Sequence, residues 1–352
     1  MLYPIFLTPD YKEKIWGGRT LETKFGKDIP EGRIGESWEV ACHDHGTSLI
    51  ANGPLAGRPL TQAIQAYGKE LMGYGLKPED YEKFPLLIKF LDAEDILSVQ
   101  VHPSDDYARI HEKGELGKTE AWYVVAAAPG ARLVYGVSED CSREEFGAAA
   151  REGRLESYLE WMDVEAGDVI FIPAGMVHAI GAGILICEVQ QNSDMVYRVY
   201  DWNRLDETGT PRELHIDKAL DVIDFDSSHP KEKVSGLSIP GEEHERVIYI
   251  VCDYFALERL KIHGSLTEKT DGSRFYTYTA LEGEGSIQYE DGELPIRPGD
   301  SFLLPACLGQ YHITGECTLL KTYVPDKGQI LQELEKEGWE RKELYKIAGL
   351  LD

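Results

Sequence analysis

The chain has 352 residues, of which 42% are hydrophobic, and a formal net charge of −26 at pH 7. This length is enough to bury a large core, and it predicts either two domains or one large β-rich domain. The charge argues against nucleic acid as a partner, because a polyanion is repelled by an acidic surface, and a phosphorylated ligand would need a local group of lysines or arginines.

No apolar run reaches the ~18 residues of a membrane span, and the N-terminal sequence MLYPIFLTPDYKEKIWGG lacks the basic and hydrophobic regions of a secretory leader. The six cysteines show no CxxC spacing, which is typical of free thiols and not of a disulfide framework. We therefore expect a cytoplasmic protein without membrane or nucleic-acid partners.

The first hundred residues predict short strands and one helix. Alternation at residues 36–40 indicates a strand with one polar face, and residues 60–72 carry apolar side chains at helical spacing. An apolar strand then follows Pro85, with Lys89 as its single charge. A lysine in such a run lies either at the open face of a sheet or next to a ligand.

A polar motif follows in the segment LSVQVHP. Ser98, Gln100 and His102 alternate with apolar residues, so a strand places all three on one face. After a short predicted helix, Glu120 stands at the start of the strand that includes residues 122–128. Glutamine, histidine and a carboxylate on neighbouring strands make an open nitrogen and oxygen site that suits zinc or a similar divalent ion.

A second motif lies in the segment GDVIFIPAGMVHA at residues 167–179. The Gly-Asp pair predicts a turn, four apolar residues predict a strand, and Pro173 and Gly175 bend the chain just before His178. Turn, strand, proline and histidine in this order resemble the second motif of the cupin superfamily, whose small β-barrels bind metals inside. His178 is therefore a fourth candidate ligand.

Four segments together, VQVHP, GKTEAW, IPAGMVHAI and CEVQQNSDMVYR, resemble the type I phosphomannose isomerases (mannose-6-phosphate isomerases) in their shorter bacterial form. The resemblance implies a metal-dependent aldose-ketose isomerase that interconverts mannose 6-phosphate and fructose 6-phosphate through an enediol or enediolate. It also implies that Gln100, His102, Glu120 and His178 hold one Zn²⁺, although manganese or cobalt would fit the same donor types.

The resemblance further implies Arg198 as the active-site arginine, which would hold substrate oxygens or stabilise the enediolate charge. Glu188 is the candidate proton carrier and Lys118 is its competitor. Ser98 and Lys89, and also Lys118, are the candidate phosphate ligands, because they flank the metal-binding strand.

One segment departs from the family pattern. Residues 199–204 read VYDWNR where many relatives have an AGLTPK-like continuation. A lysine that the resemblance implies is therefore missing, and Arg204 is a candidate substitute.

The predicted fold is mainly β, with two cupin-type (jelly-roll) β-barrel domains and with helices inserted into the first barrel and covering it. Residues 142–162 and 212–225 are the further predicted helices. Residues 298–306 repeat the pattern of 166–174, with Gln310 at the position of His178, so the second barrel is expected to lack a metal. The predicted domains are residues 1–228, residues 244–325 and a solvated helical tail at 326–352.

Two other functions remain open from the residues. An iron cupin oxygenase would require a His/His/carboxylate site and oxygen uptake, and the glutamine ligand with the Glu188 and Arg198 pair argues against it. A non-catalytic sugar-phosphate-binding protein with two cupin barrels would bind without turnover. The oligomeric state is not predicted.

Overall fold

The computed structural model describes residues 2–205, 209–226 and 231–351. The predicted domain boundary at residue 228 lies outside the described residues, as do residues 206–208 of the predicted polar loop after Tyr200 and the chain ends at 1 and 352.

Strands dominate the chain, as predicted. The strands of the first 200 residues are β1 (Ile5–Thr8), β2 (Asp10–Gly18), β3 (Ile34–Val40), β4 (Cys42–His43), β5 (Gly46–Thr47), β6 (Leu49–Ile50), β7 (Leu86–Ala93), β8 (Val99–Val101), β9 (Glu120–Ala127), β10 (Arg132–Val137), β11 (Leu159–Asp163), β12 (Val169–Ile172), β13 (His178–Ala179), β14 (Ile184–Gln191) and β15 (Tyr197–Tyr200). The remaining strands are β16 (Leu237–Pro240), β17 (His244–Val251), β18 (Ala256–Ile262), β19 (Ser265–Lys269), β20 (Tyr276–Tyr289), β21 (Gly292–Ile296), β22 (Ser301–Leu304) and β23 (Gln310–Tyr323).

The helices are short and lie between the strands. They are α1 (Thr20–Phe25), α2 (Leu60–Tyr67), α3 (Lys69–Met72), α4 (Pro78–Glu82), α5 (Asp105–His111), α6 (Arg143–Arg151), α7 (Ile216–Val222), α8 (Lys327–Lys336) and α9 (Arg341–Leu344). Among the described residues, none of these helices has the length and apolar character needed to cross a membrane.

The first domain is built from two sheets that pack face to face. A six-stranded sheet has the order β12-β9-β14-β7-β2-β3, and a five-stranded sheet has the order β11-β10-β13-β8-β15. Trp122 and Ile186 from the first sheet share a buried apolar cluster with Leu133 and Tyr135 from the second. Burial of apolar surface between the sheets therefore holds this jelly-roll together.

A ten-stranded sheet forms the second domain, along the path β16-β17-β18-β23-β20-β22-β1-β6, with β19 and β21 attached at its side. Tyr278, Phe302 and Tyr311 are buried in its core. The N-terminal strand β1 pairs with β22, so the start of the chain contributes to this sheet. The division at residues 228 and 244 stays a prediction.

The two domains repeat one arrangement of four strands. The Gly-Asp turn motif leads into β12 in the first domain and into β22 in the second. From there the order is β12-β9-β14-β7 in the first and β22-β20-β23-β18 in the second. Strands β9, β14 and β7 therefore correspond to β20, β23 and β18.

The inserted helices α6 and α7 cover the outer face of the five-stranded sheet. Phe146 and Ala219 pack against Val99 and Val199, whose side chains point away from the interior. Helix α6 begins as predicted, because the Ser142 hydroxyl accepts a hydrogen bond from the backbone N–H of Glu145 at 3.2 Å.

Two helix predictions need correction. The helix expected over residues 142–162 ends at Arg151, because Gly153 adopts a positive φ of 67° and the chain then pairs as β11 with β10. The helix expected over 60–72 is divided into α2 and α3 at Gly68, which has a φ of 45°. Pairing with a neighbouring strand outweighs helical composition in the first case.

The C-terminal segment is helical as predicted, but it is not a solvated tail. Leu334 is 4% exposed, and Leu344 and Ile347 are buried with it in a cluster that includes Ile248 and Tyr323 of the second domain. The segment therefore forms part of the core of that domain.

Substitution Leu334→Ala is expected to lower the free energy of unfolding by about 2–4 kcal/mol, because it opens a cavity in a packed core. Urea denaturation of the full chain measures the difference. Lys336→Ala on the exposed side of the same helix is the matched control and should change it by less than about 0.5 kcal/mol. Equal effects of both substitutions would show that the segment does not pack on the domain.

Candidate active site

Strands from the two facing sheets bring the predicted metal ligands together. Strand β8 carries Gln100, and the antiparallel register places it opposite His178 of β13. Glu120 opens β9, opposite Ile172 of β12, and His102 follows β8 directly. Four residues that are up to 78 positions apart are thereby collected at one end of the jelly-roll interior.

The imidazoles of His102 and His178 face the carboxylate of Glu120. The distances are 3.6 Å from His102 Nε2 to Glu120 Oε2 and 3.2 Å from His178 Nε2 to Glu120 Oε1. All three side chains are buried, and one ligand atom from each lies within 4.8 Å of the others. Gln100 adjoins them, with its amide nitrogen 3.2 Å from His178 Nε2.

The tautomers of both histidines follow from their partners. His102 Nδ1 lies 2.7 Å from the carbonyl oxygen of Met195, and His178 Nδ1 lies 2.9 Å from that of Met176. A carbonyl only accepts hydrogen bonds, so each Nδ1 carries the proton and each Nε2 presents a lone pair to the carboxylate. This is the orientation in which histidine binds a metal.

The donor set fits a divalent cation. His102 Nε2 and Glu120 Oε1 are buried without a hydrogen-bond partner, and the charged neighbour of Glu120 Oε2 is the ammonium of Lys118 at 2.8 Å. Lone pairs and a carboxylate that converge without protons between them repel one another, and a buried polar atom without a partner costs free energy. A cation removes both penalties, and a half-turn of the Gln100 amide would add its oxygen as a fourth donor.

Burial and nearby charge lower the pKa values of the candidate metal ligands. Burial, together with the charge of Lys118, lowers the pKa of His102 to about 4, so this imidazole is neutral at pH 7. Burial also lowers the pKa of His178. For Glu120 burial acts in the opposite direction, but Lys118 and the two imidazoles hold its pKa well below the usual value.

A second group of charges lies beside the ligands. Lys118 Nζ is 2.8 Å from Glu120 Oε2 and 3.8 Å from Glu188 Oε1, and Lys89 Nζ is 3.3 Å from the same Glu188 oxygen. Burial alone would lower the pKa of Lys118, but Glu120 and Glu188 raise it to about 12. Glu188 Oε1 is buried without a hydrogen-bond partner, although both ammonium groups are nearby.

The register of the six-stranded sheet explains this group. Glu188 on β14 lies opposite Lys89 on β7 and opposite Trp122 on β9. The indole Nε1 of Trp122 donates to Glu188 Oε2 at 3.2 Å. Trp38 of β3 lies opposite Lys89, whose ammonium is 5.0 Å from the indole centroid. One cross-strand row thus contains an aromatic residue, a lysine, a glutamate and another aromatic residue.

Three arginines lie close together near Ser98, and Arg198 is one of them. Arg198 Nε donates to the Ser98 hydroxyl at 3.2 Å, and the Arg198 guanidinium is close enough to Arg212 and Arg204 that burial and these two charges lower its pKa. Arg204 and Arg212 both bind the carboxylate of Asp201. Arg204 also lies 3.7 Å from the carboxylate of Asp95. The three guanidiniums of this group therefore face two carboxylates, Asp201 and Asp95, so that positive charge is in excess.

The predicted phosphate ligands consequently have different neighbours. Ser98 lies with the arginines, whereas Lys89 lies with Glu188.

Sequence reasoning missed part of the site. The carboxylate of Glu36 accepts from Trp38 Nε1 at 2.6 Å and lies 2.9 Å from Lys14 Nζ. Burial opposes ionisation, but Lys89 and Lys14 lower the pKa of Glu36 to about 2. The alternation at residues 36–40 predicted a polar face, but it did not indicate that this face meets Lys89.

A second group of possible ligand atoms lies at His43, His45 and Asp194. His43 Nδ1 accepts the backbone N–H of His45 at 3.1 Å, so the proton of neutral His43 is on Nε2, which faces Asp194 Oδ1 at 3.8 Å. His45 Nδ1 contacts the other carboxylate oxygen. Hydrogen bonds and ion pairing account for this cluster without a metal.

Comparison with known proteins gives consistent matches. Residues 5–123 match the family described as "Phosphomannose isomerase type I, catalytic domain", and residues 245–324 match "Mannose-6-phosphate isomerase, cupin domain". A mannose-6-phosphate isomerase of Bacillus subtilis is 40% identical over 316 residues, which cover 89% of this chain and 97% of that protein. One from Streptococcus mutans is 38% identical and covers 92% and 99% of the two chains.

Solved structures agree with these matches. The crystal structure of a mannose 6-phosphate isomerase from Bacillus subtilis superposes with a TM-score of 0.84 at 37% identity, covering 91% of this chain and 99% of that chain. A Salmonella typhimurium phosphomannose isomerase shares the fold, with a TM-score of 0.73 at 16% identity. The predicted fold of two cupin-type domains is thereby confirmed.

Metal binding is expected to stabilise the folded chain. Because His102 Nε2 and Glu120 Oε1 have no hydrogen-bond partner, adding Zn²⁺ to chelated protein at about a thousandfold excess over its dissociation constant should add about 4 kcal/mol, observed as a rise in melting temperature. His178→Ala should remove most of the rise. His111→Ala, on exposed α5, is the control and should retain it. A rise of equal size in both variants would place the metal elsewhere.

Proposed function

Since the chain belongs to the type I phosphomannose isomerase family and interconverts mannose 6-phosphate and fructose 6-phosphate, we propose that this reaction takes place at the cluster of His102, Glu120 and His178, with Gln100 as the fourth ligand of a Zn²⁺ ion. The proposal rests on the convergence of buried ligand atoms, of which His102 Nε2 and Glu120 Oε1 have no hydrogen-bond partner. The family is metal-dependent, and zinc is the choice that the mixed nitrogen and oxygen donors favour.

When bound, the metal supplies a Lewis acid for the charge that develops on the substrate oxygens during isomerisation. The chain's own residues must then move a proton between C1 and C2 and keep bulk water away. The ligand side chains are buried, so the site has the low dielectric in which fixed charges act strongly.

Glu188 is the proposed proton carrier. Its carboxylate is 2% exposed, and Trp122 orients one oxygen by a hydrogen bond, while the other oxygen has no hydrogen-bond partner. That second oxygen is therefore available to a substrate C–H or O–H group. Lys118 is the less favoured carrier, because Glu120 and Glu188 raise its pKa to about 12 and keep it protonated.

The phosphate is proposed to bind on the Ser98 side. Arg198 reaches the Ser98 hydroxyl there, and Arg204 and Arg212 add charge that Asp201 only partly neutralises. Guanidiniums suit a phosphate dianion because their donors match its oxygens in pairs. Arg204 thus takes the place of the lysine that the family pattern implied. Lys89 remains the alternative phosphate ligand.

The two other functions are not favoured. An iron oxygenase does not require the group of Glu188, Lys118 and Lys89. A protein that only binds sugar phosphate would not require a buried carboxylate beside the metal ligands. The cytoplasm is the proposed location, supported by six cysteines that are all free thiols. A sugar phosphate is the proposed partner, without nucleic acid or membrane.

A coupled assay of mannose 6-phosphate turnover tests the metal. Activity should disappear on chelation, return with Zn²⁺ and be lost in His178→Ala, because that variant lacks one of the ligands that would hold the metal. The His111→Ala variant serves as the control. Full activity in metal-free protein would show that the ligand cluster is not part of the reaction.

Kinetics of two variants distinguish the phosphate from the proton-transfer group. Arg204→Ala should raise KM for mannose 6-phosphate about tenfold or more with little change in kcat, since it removes binding common to ground and transition states. Lys89→Ala should mainly lower kcat, because Lys89 lies 3.3 Å from Glu188. If Lys89→Ala instead raises KM alone and Arg204→Ala has no effect, the phosphate belongs at Lys89.

A further inference from the structure

The second domain contains a row of side chains that corresponds to the reactive row of the first. In the first domain, Lys89 on β7 lies opposite Glu188 on β14. In the second, Glu258 on β18 lies opposite Lys321 on β23. Because β7 and β14 correspond to β18 and β23 in strand order, the same cross-strand pair occurs with its charges exchanged.

The correspondence extends to both sides of the pair. On one side of the pair, Trp122 of β9 lies opposite Glu188 in the first domain. Tyr278 of β20 lies opposite Lys321 in the second domain. On the other side of the pair, Glu36 lies opposite Leu91, which is two residues after Lys89. Arg246 lies opposite Leu260, which is two residues after Glu258, so Glu36 and Arg246 occupy the same register position.

Charge is exchanged at this outer position too. Glu36 in the first domain is replaced by Arg246 in the second, and Arg246 binds Glu258 through Nε and Nη2, both at 2.7 Å. Three consecutive positions of the row thus change sign together.

Two side chains of this row, Arg246 and Lys321, line a cavity of about 290 Å³ in the second domain. Arg246, Lys321, Tyr276 and Tyr323 line it, and side chains of α8 border its mouth. Glu268 accepts from Lys321 Nζ and from the hydroxyls of Tyr278 and Tyr311, and these partners, against the effect of burial, lower its pKa to about 2.

The lining keeps hydrogen-bonding groups for a guest. Lys321 Nζ donates hydrogen bonds to both carboxylate oxygens of Glu268. The same ammonium lies 4.3 Å from the ring centroid of Tyr276. No described residue forms a hydrogen bond with the Tyr276 hydroxyl, and Arg246 leaves Nη1 unused in its contact with Glu258. Donors, acceptors and aromatic faces therefore converge on one small space.

Charge and size restrict the class of guest. Four basic and four acidic side chains line the cavity, so it carries no net charge with which to select a phosphate. Both groups of converging metal-ligand atoms among the described residues lie in the first domain, so metal-held ligands are not favoured here. The volume is below the ~300–1,000 Å³ of sites for drug-sized ligands, and it suits a single small polar ring.

We propose that the cavity of the second domain binds a neutral monosaccharide, an unphosphorylated hexose, in the position that corresponds to the active site of the first domain. The hydroxyl groups of a hexose would pair with the charged and phenolic groups that line the cavity, among them Arg246 and Tyr276. Its C–H faces would pack on the tyrosine rings, which combine an apolar face with a polar end.

Binding of D-mannose to the full, zinc-loaded chain tests the proposal, by isothermal calorimetry and by saturation-transfer NMR. We expect saturable binding in the millimolar range that persists in His178→Ala and in the presence of saturating fructose 6-phosphate, because the site is separate from the active site. Tyr276→Phe should weaken it about fivefold, as expected for one lost hydrogen bond. Lys321→Met should abolish it.

Two controls accompany these variants. Tyr289→Phe, on the same strand β20 but outside the cavity, should bind as the unmodified chain does. Isomerase activity should be unchanged in Tyr276→Phe and Lys321→Met, which also reports that they fold. If Lys321→Met does not fold, Tyr276→Phe alone decides.

Three results would overturn the proposal. They are no saturable binding of D-mannose, loss of binding on occupation or mutation of the active site, and binding that Tyr276→Phe leaves unchanged. None of these results bears on the isomerase activity, which is measured independently.

Discussion

The repulsion between buried lone pairs and a buried carboxylate governs this structure. His102 and His178 each commit their Nδ1 proton to a backbone carbonyl, so their Nε2 lone pairs must face Glu120 without a proton between them. Lys118 offsets one part of the negative charge from the side. A cation offsets the rest, and the sheets around the cluster hold the ligands in place before it arrives.

Strand register also fixes the charged side chains beside this cluster. Glu188 is fixed because β14 lies between β7 and β9, so that Lys89 and Trp122 reach it from opposite sides. Neither neighbour could move without shifting a full ladder of backbone hydrogen bonds. The chemistry of the site thus rests on the same backbone pairing that forms the core, and rigid elements suit a site that must keep its geometry.

The sequence predicted the parts of the site that lie within single motifs. Gln100 and His102 share a strand face by their spacing of two, and the Gly-Asp turn and Pro173 indicated His178. It could not predict the grouping of Arg204 and Arg212 around Asp201, because that depends on the path of an irregular loop. It could not predict the approach of Glu36 to Lys89 either, because that depends on sheet order. Composition also misplaced residues 159–162, which pair as β11.

The second domain contains charged side chains, Glu258 and Lys321 among them, in a largely buried position, and their presence there needs a physical reason. Replacing a buried ion pair by apolar residues of similar volume is often neutral or stabilising, so Glu258, Lys321 and Arg246 are weak as a source of stability alone. Two explanations remain. The network could specify the register of β17, β18 and β23, but the apolar ladder on these strands already does so. Recognition of a polar guest requires both the charges and the open space beside them, and the structure provides both.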